Sequence, residues 1–190
     1  NRVLADDETY VLLDIEDDLA GLSDSFVATL RSAAEEREEE GWAIVNTRSF
    51  MQPFLQNSTR RDLREQVYNA YINRGDNGDA NDTKEIIGQI LGLRAERAAL
   101  LGFETHAHWR MADTMAGTPE NATDLMLRVW PGAVARVRQE VADMQAIADE
   151  EGAGITFAPW DYRFYAEKVR QAQYSIDEAE IRPYFQLENM

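Results

Sequence analysis

The longest uninterrupted helical periodicity of apolar residues runs from Lys84 to Trp109. At 100° per residue its apolar side chains fill about half of the helix circumference, which predicts that neighbouring helices bury it on more than one side. Arg94 and Arg97 fall within the same arc, so we expect carboxylates to pair with them, because an unpaired buried charge is strongly destabilising. The stretch is therefore predicted to be a buried framework helix. Its apolar residues are Ile86, Ile87, Ile90, Leu91, Leu93, Ala98, Leu100 and Leu101.

Capping residues and apolar spacing predict two helices before this stretch. Ser23 or Asp24 can cap the first, which ends in the glutamate-rich run before Gly41. Ser58 can cap the second, which ends at Gly75. Both glycines suit the left-handed backbone conformation that commonly follows a helix.

The chain after this stretch is also predicted to be helical. One helix is expected over 103–116, with Thr105 as its cap, and Thr118 opens a long helical segment that runs to about Glu151. Pro131 lies within that segment. We expect a kink or a break there, because proline lacks an N–H and its ring crowds the preceding turn.

Little of the sequence favours β-structure. Trp42 to Thr47 is the best strand candidate, and Val11 to Ile15 fits either a short strand or the approach to a helical turn. A further extended piece is expected over Phe50 to Leu55, where Pro53 confines it to a sheet edge. The predicted fold class is mainly α, a multi-helix lobe with at most one short β-hairpin near residues 42–56.

The whole chain, residues 1–190, is predicted to form a single helical lobe in three parts. Residues 1–57 supply the N-terminal helix and the small hairpin, and 58–158 supply the helical core. Residues 159–190 supply an aromatic-rich helix and, at Ser175 to Glu178, a capping box for a final short helix.

The most turn-prone segment, GDNGDAND at 75–82, does not fit a calcium-binding loop. An EF-hand needs oxygen ligands at loop positions 1, 3 and 5 and a glycine at position 6. Counting from Asp76, those last three positions hold Gly78, Ala80 and Asn81. The segment is predicted to be an exposed connection between helices.

The composition excludes several functions. A formal net charge of −16 argues against binding nucleic acid or anionic membrane surfaces, and the 44% hydrophobic content is sufficient for a folded core. The chain has no cysteine, hence no disulfide or thiol catalysis, and no apolar run long enough to cross a bilayer. It begins at Asn1 without a signal-peptide pattern, and we expect a fragment of a longer, cytoplasmic protein.

The two histidines, His106 and His108, do not form a metal-binding pair. Two residues apart on a helix, they point about 200° away from each other, and neither Glu104 nor Asp113 completes a site. The chain has no Gly-x-Ser-x-Gly turn and no glycine-rich phosphate loop. We therefore assign no catalytic and no metal-ligating residue in this chain, and the substrate-binding residues stay unassigned.

Several long blocks together resemble the thimet oligopeptidase family of zinc metallopeptidases. The blocks occur in family order and extend over nearly the whole chain. The amino-acid sequences of the segments NDT, MAGTPE and PWDYRFYAE are most similar to those of the bacterial peptidyl-dipeptidase branch, also called dipeptidyl carboxypeptidase. The blocks are RRDLREQVYNAYINRG (60–75), NDTKEIIGQILGLRAERAALLGFETHAHW (81–109), MADTMAGTPENATDLM (111–126) and PWDYRFYAEKVRQAQYSIDEAEIRPYFQLEN (159–189).

The resemblance implies a helical enzyme with a narrow channel that admits short peptides. Its zinc would be held by the histidines of a His-Glu-x-x-His motif and a later glutamate, none of which occurs in this chain. The chain is thus expected to supply the helical framework and the channel wall, and to lead into a catalytic region that it lacks. On its own it is expected to be inactive and to bind no zinc. The parent would hydrolyse short peptides, releasing C-terminal dipeptides.

A non-catalytic reading accounts equally well for the composition and the periodicity. In that alternative, the chain is an acidic, all-α module for protein interaction or structure, with no enzymatic role. It does not account for the ordered blocks of resemblance. In either case an apolar face left uncovered is expected to make the isolated chain self-associate.

Overall fold

The computed structural model describes residues 9–174, and it confirms a mainly α fold. Short 3-10 helices precede the first and last α-helices at Glu16–Leu19 and Pro159–Asp161. The strands within the described residues are β1 (Tyr10–Leu13) and β2 (Trp42–Val45). The helices there are α1 (Asp24–Glu35), α2 (Arg48–Asn57), α3 (Arg61–Ile72), α4 (Lys84–Leu100), α5 (His106–Met111), α6 (Pro119–Glu150) and α7 (Tyr162–Tyr174).

The two strands form an antiparallel pair, but not the predicted hairpin. Tyr10 lies opposite Val45 and Leu13 opposite Trp42, with α1 in the connection. The extended piece expected over Phe50 to Leu55 is wrong, because this segment belongs to α2 with Pro53 inside the helix. The buried side chains of Met51, Phe54 and Leu55 recur at helical spacing. Their burial outweighs the hydrogen bond lost at the proline.

The described residues divide into two compact units along the chain. One comprises residues 9–72 together with 140–174, and the other comprises residues 73–139. α6 runs from the second unit into the first. The sequence-based division at 57/58 and 158/159 stays a prediction. The predicted capping box at Ser175 to Glu178 lies outside the described residues.

The unit of residues 9–72 and 140–174 has a hydrophobic core made of separate clusters. Its largest cluster packs the sheet against α1, α2 and α3, and a smaller cluster joins α6 to α7. Ser23 caps α1 by accepting a hydrogen bond from the Phe26 N–H, as its sequence context predicts. The largest cluster consists of the buried residues Val11, Leu13, Leu30, Ile44, Met51, Phe54, Leu55 and Val67.

In the unit of residues 73–139, α4 contradicts the predicted buried framework helix. Only Ala98 of this helix is buried, while Leu93 is 64% exposed and Leu100 87% exposed. Arg94 and Arg97 are exposed too, and within residues 9–174 neither has a carboxylate at ion-pair distance. Water solvates these charges, so the reason for expecting carboxylate partners disappears.

Two predicted helix boundaries also change. The helix expected over 103–116 is limited to α5, although Thr105 caps it as predicted, accepting from the His108 N–H. Of the kink or break predicted at Pro131, the break is wrong, since α6 continues through it, and the kink stays a prediction. Leu127 and Pro131 are both exposed, so water can bond the carbonyl that the proline leaves without a donor. No helix among residues 9–174 has the length and apolar character needed to span a bilayer.

Candidate functional site

The most enclosed polar cluster of the described residues centres on Asp161. This carboxylate is fully buried just before α7 and accepts from the Arg61 guanidinium, which donates from Nε to Oδ1 at 3.0 Å and to Oδ2 at 3.2 Å, and from Nη2 to Oδ2 at 2.9 Å. Arg64 donates a further bond from Nη2 to Oδ1 at 2.9 Å, and the Ala158 N–H donates to Oδ2 at 3.1 Å. Together these bonds fix α7 against α3.

Arg64 is the second buried charge of this cluster, with 2% of its surface exposed. Its Nη1 donates to the Ser58 carbonyl at 2.8 Å, and its guanidinium lies 4.2 Å from the centre of the Phe164 ring. One buried Asp161 carboxylate thus faces two guanidiniums, and charge-assisted hydrogen bonds offset much of the desolvation. The arrangement suits orientation of helices rather than proton transfer.

Little in the amino-acid sequence indicated this cluster. Arg61 and Arg64 are three residues apart and so share a face of α3, but their partner lies about 100 residues later in the chain. Pro159 and Asp161 stand at the beginning of a helical segment, where they indicate the start of a helix. They do not indicate an ion pair with α3. The pairing depends on the tertiary fold.

His106 lies in a cluster of arginines around Trp109. Its Nδ1 is 3.2 Å from Nη2 of Arg97, and the Arg97 guanidinium lies 4.2 Å from the centre of the Trp109 ring. Desolvation, and then the positive charges of Arg94, Arg97 and Arg110, lower the pKa of His106 below its ordinary value. A neutral imidazole whose Nδ1 accepts from Arg97 carries its proton on Nε2.

His108 has a different set of neighbours. Its Nδ1 lies 2.8 Å from the Thr105 hydroxyl, and its Nε2 lies 3.6 Å from a carboxylate oxygen of Glu120 and 3.9 Å from one of Glu104. Since the two rings have separate partners, the structure does not bring His106 and His108 together.

The residues that the structure describes do not fit a catalytic zinc site. Residues 9–174 contain no group of three or more potential metal ligands, and a cation at His106 would face the positive charges of three arginines. Asp113 and Glu104 do not complete a group of three potential metal ligands with either histidine. The assignment of no catalytic and no metal-ligating residue to this chain stays a prediction.

A groove of about 1130 Å³ lies beside α5 in the unit of residues 73–139. The end of α5, the following loop and the first turns of α6 form its walls. Thr118 caps α6 by accepting from the Asn121 N–H, and the Asn121 side chain donates to the Ala116 carbonyl at 2.8 Å. These bonds position the loop at the groove. Its lining includes Met111, Met115, Asn121, Leu125 and Arg128.

Comparison with known proteins defines the class to which this helical chain belongs. Residues 54–190 match the model of Peptidase family M3. The chain is a member of that family, and the resemblance to zinc metallopeptidases of the thimet oligopeptidase type is confirmed at this level.

Among curated relatives, dipeptidyl carboxypeptidases show high similarity. The chain is 40% identical over 170 residues to the dipeptidyl carboxypeptidase of Escherichia coli (strain K12), covering 89% of this chain and 25% of that protein. Against the Salmonella typhimurium dipeptidyl carboxypeptidase the identity is 41% with the same coverages. Oligopeptidase A of Escherichia coli is 34% identical over 174 residues, covering 90% of this chain and 26% of that protein. The chain thus spans about a quarter of the length of these relatives.

Proposed function

We propose that this chain is a helical framework and channel-wall segment of a longer zinc metallopeptidase. The whole protein hydrolyses short peptides and releases C-terminal dipeptides. The match to Peptidase family M3 carries this proposal. The greater similarity to dipeptidyl carboxypeptidases than to oligopeptidase A supports the finer activity.

In this proposal the zinc chemistry belongs to parts of the protein other than these residues. The 190-residue sequence contains no His-Glu-x-x-His, and the neighbours of His106 and His108 do not suit a metal. The contribution of this chain is therefore to hold its helices and the peptide-facing surface in place. The groove that includes Met111 and Leu125 is the proposed part of that surface. A cytoplasmic location remains a prediction.

The remaining polypeptide of the same protein is the proposed partner of the exposed apolar surface. About half of the α4 circumference is apolar, and Leu125, Met126 and Leu127 point in directions spanning about 200° around α6. A two-fold contact with a second copy covers one patch, whereas surfaces this wide need covering from several sides. In the isolated chain, copies of it are expected to substitute for the missing partner.

The test compares the 190-residue chain with a protein of the relatives' full length that contains it. Both are assayed for zinc content after dialysis and for cleavage of N-blocked tripeptides that have a free C-terminus. We expect zinc and dipeptide release from the full-length protein, and neither from the chain alone. Zinc-dependent hydrolysis by the pure chain would contradict the framework role, and an inactive full-length protein without zinc would favour the non-catalytic module.

A further inference from the structure

We propose that Arg94, Arg97 and Arg110 form a carboxylate-binding site beside Trp109. This inference goes beyond the proposed function, and only its second experiment, in the full-length protein, rests on that function. The three arginines lie on α4 and α5, within the unit of residues 73–139. The chain as a whole is acidic, with 35 acidic residues and 19 basic ones.

The first support is the fixed orientation of Arg97. Its guanidinium stacks 4.2 Å from the centre of the Trp109 ring and donates a hydrogen bond to Nδ1 of His106. Arg110 lies 5.4 Å from the same ring. A guanidinium has five N–H donors in a planar fork, so Arg97 keeps donors for a bidentate partner. Stacking on Trp109 reduces the conformational entropy that binding would otherwise cost.

The second support is that these charges have no counterions in the described part of the chain. Among residues 9–174, no carboxylate lies within ion-pair distance of Arg94, Arg97 or Arg110. By contrast, Arg60, Arg61 and Arg64 each bind an aspartate. The nearby acids Glu104 and Glu120 are the neighbours of His108 instead.

The third support is the electrostatic effect of the cluster on His106. All three guanidiniums contribute to lowering the pKa of this imidazole, and Arg94 lies three residues before Arg97, on the same face of α4. The neutral His106 ring accepts from Arg97 and adds no positive charge of its own. A planar anion of one negative charge matches the fork of Arg97, and the neighbouring charges of Arg94 and Arg110 add long-range attraction.

The ligand class is therefore a carboxylate, which two sources can supply. One is the free C-terminus of a short peptide, and the other is an aspartate or glutamate of the remaining polypeptide.

The first experiment follows the histidine resonances of the 190-residue chain by NMR. N-acetyl-dialanine with a free carboxylate is titrated in, and its C-terminal amide serves as the uncharged control. We expect the acid to raise the pKa of His106, because a bound carboxylate offsets the guanidinium charges, and the amide to leave it unchanged. His108 is the internal control.

Variants then identify the residues responsible. Arg97→Gln and Arg94→Gln are each expected to weaken binding of the acid, Arg97→Gln by about tenfold. Arg138→Gln, which changes an exposed arginine on α6, is the matched control and should bind as the parent chain does. All these side chains are exposed, so circular dichroism should show unchanged helicity. Equal effects of acid and amide, or undiminished binding by Arg97→Gln, would overturn the proposal.

A second experiment in the full-length protein distinguishes the two sources. If a peptide terminus binds, Arg97→Gln raises KM for the free acid more than for the amide. If the protein's own carboxylate binds, Arg97→Gln lowers the melting temperature and leaves the ratio of KM values unchanged. If neither the melting temperature nor the ratio of KM values changes, the result contradicts the proposed site. Because the NMR titration needs no hydrolysis, its result is independent of the proposed peptidase activity.

Discussion

The two units of the chain differ sharply in how they treat their apolar and charged side chains. Residues 9–72 with 140–174 contain nearly all of the buried side chains, including Leu30, Phe54 and the Asp161 cluster. In residues 73–139 the only buried residue is Ala98, although the segment is rich in leucine and isoleucine. The same composition therefore produces a core in one unit and an exposed apolar surface in the other.

The charges follow the same division. The buried carboxylate of Asp161 binds two guanidiniums, whereas Arg97 and Arg110 lie beside the Trp109 ring and, within residues 9–174, have no carboxylate at ion-pair distance. A buried charge must have a partner because desolvation is costly, while an exposed one is stabilised by water. The buried charges of the first unit are thus paired within this chain, whereas the guanidiniums of Arg94, Arg97 and Arg110 in the second are exposed to solvent.

The largest expected effect is loss of the buried ion pair. Asp161→Asn leaves Arg64 as an uncompensated buried charge, so the free energy of unfolding should fall by about 3–5 kcal/mol. Asp62→Asn is the control, since Asp62 is largely exposed where it pairs with Arg60, and should cost no more than about 1 kcal/mol. Urea denaturation followed by circular dichroism measures both. If both variants lose the same free energy of unfolding, burial of Asp161 does not account for the stabilisation by its ion pairs.

The next effect compares leucines of the two units. Leu30→Ala should lower the free energy of unfolding by about 2–5 kcal/mol, because Leu30 is fully buried. Leu93→Ala should change it by less than about 0.5 kcal/mol, because Leu93 is 64% exposed. The same denaturation measurement applies. A large loss for Leu93→Ala would show that α4 is covered within the isolated chain, and the contrast between the units would disappear.

Polar substitutions on the exposed apolar arc of α4 are expected to have the smallest effect on the free energy of unfolding. They are expected to weaken self-association of the chain clearly. The double change Leu93→Gln and Leu101→Gln should weaken self-association of the chain, because both side chains lie on the exposed apolar arc. Glu96→Gln, on the same helix but outside that arc, is the control. Sedimentation velocity at increasing concentration measures the change, and a parent chain that stays monomeric throughout would contradict the expectation.

Local chemistry allowed much of the helical fold to be predicted. Ser23, Thr105 and Thr118 cap the helices that follow them, since a cap needs only a side-chain oxygen within three residues of an amide. Phe50 to Leu55 forms part of a helix and not the predicted strand. The helical spacing of Met51, Phe54 and Leu55 outweighs the effect of Pro53. Local propensity is a weak signal where burial decides.

The helical character of the chain, most of its caps and its membership of a peptidase family follow from local sequence patterns. Which helices are buried depends instead on tertiary contacts. The apolar arc of α4 predicted burial, yet burial requires neighbours, and the described residues provide almost none around it. Likewise, the pairing of Asp161 with Arg61 and Arg64 joins residues about 100 positions apart. No local pattern encodes such a contact, because it exists only once the chain has folded.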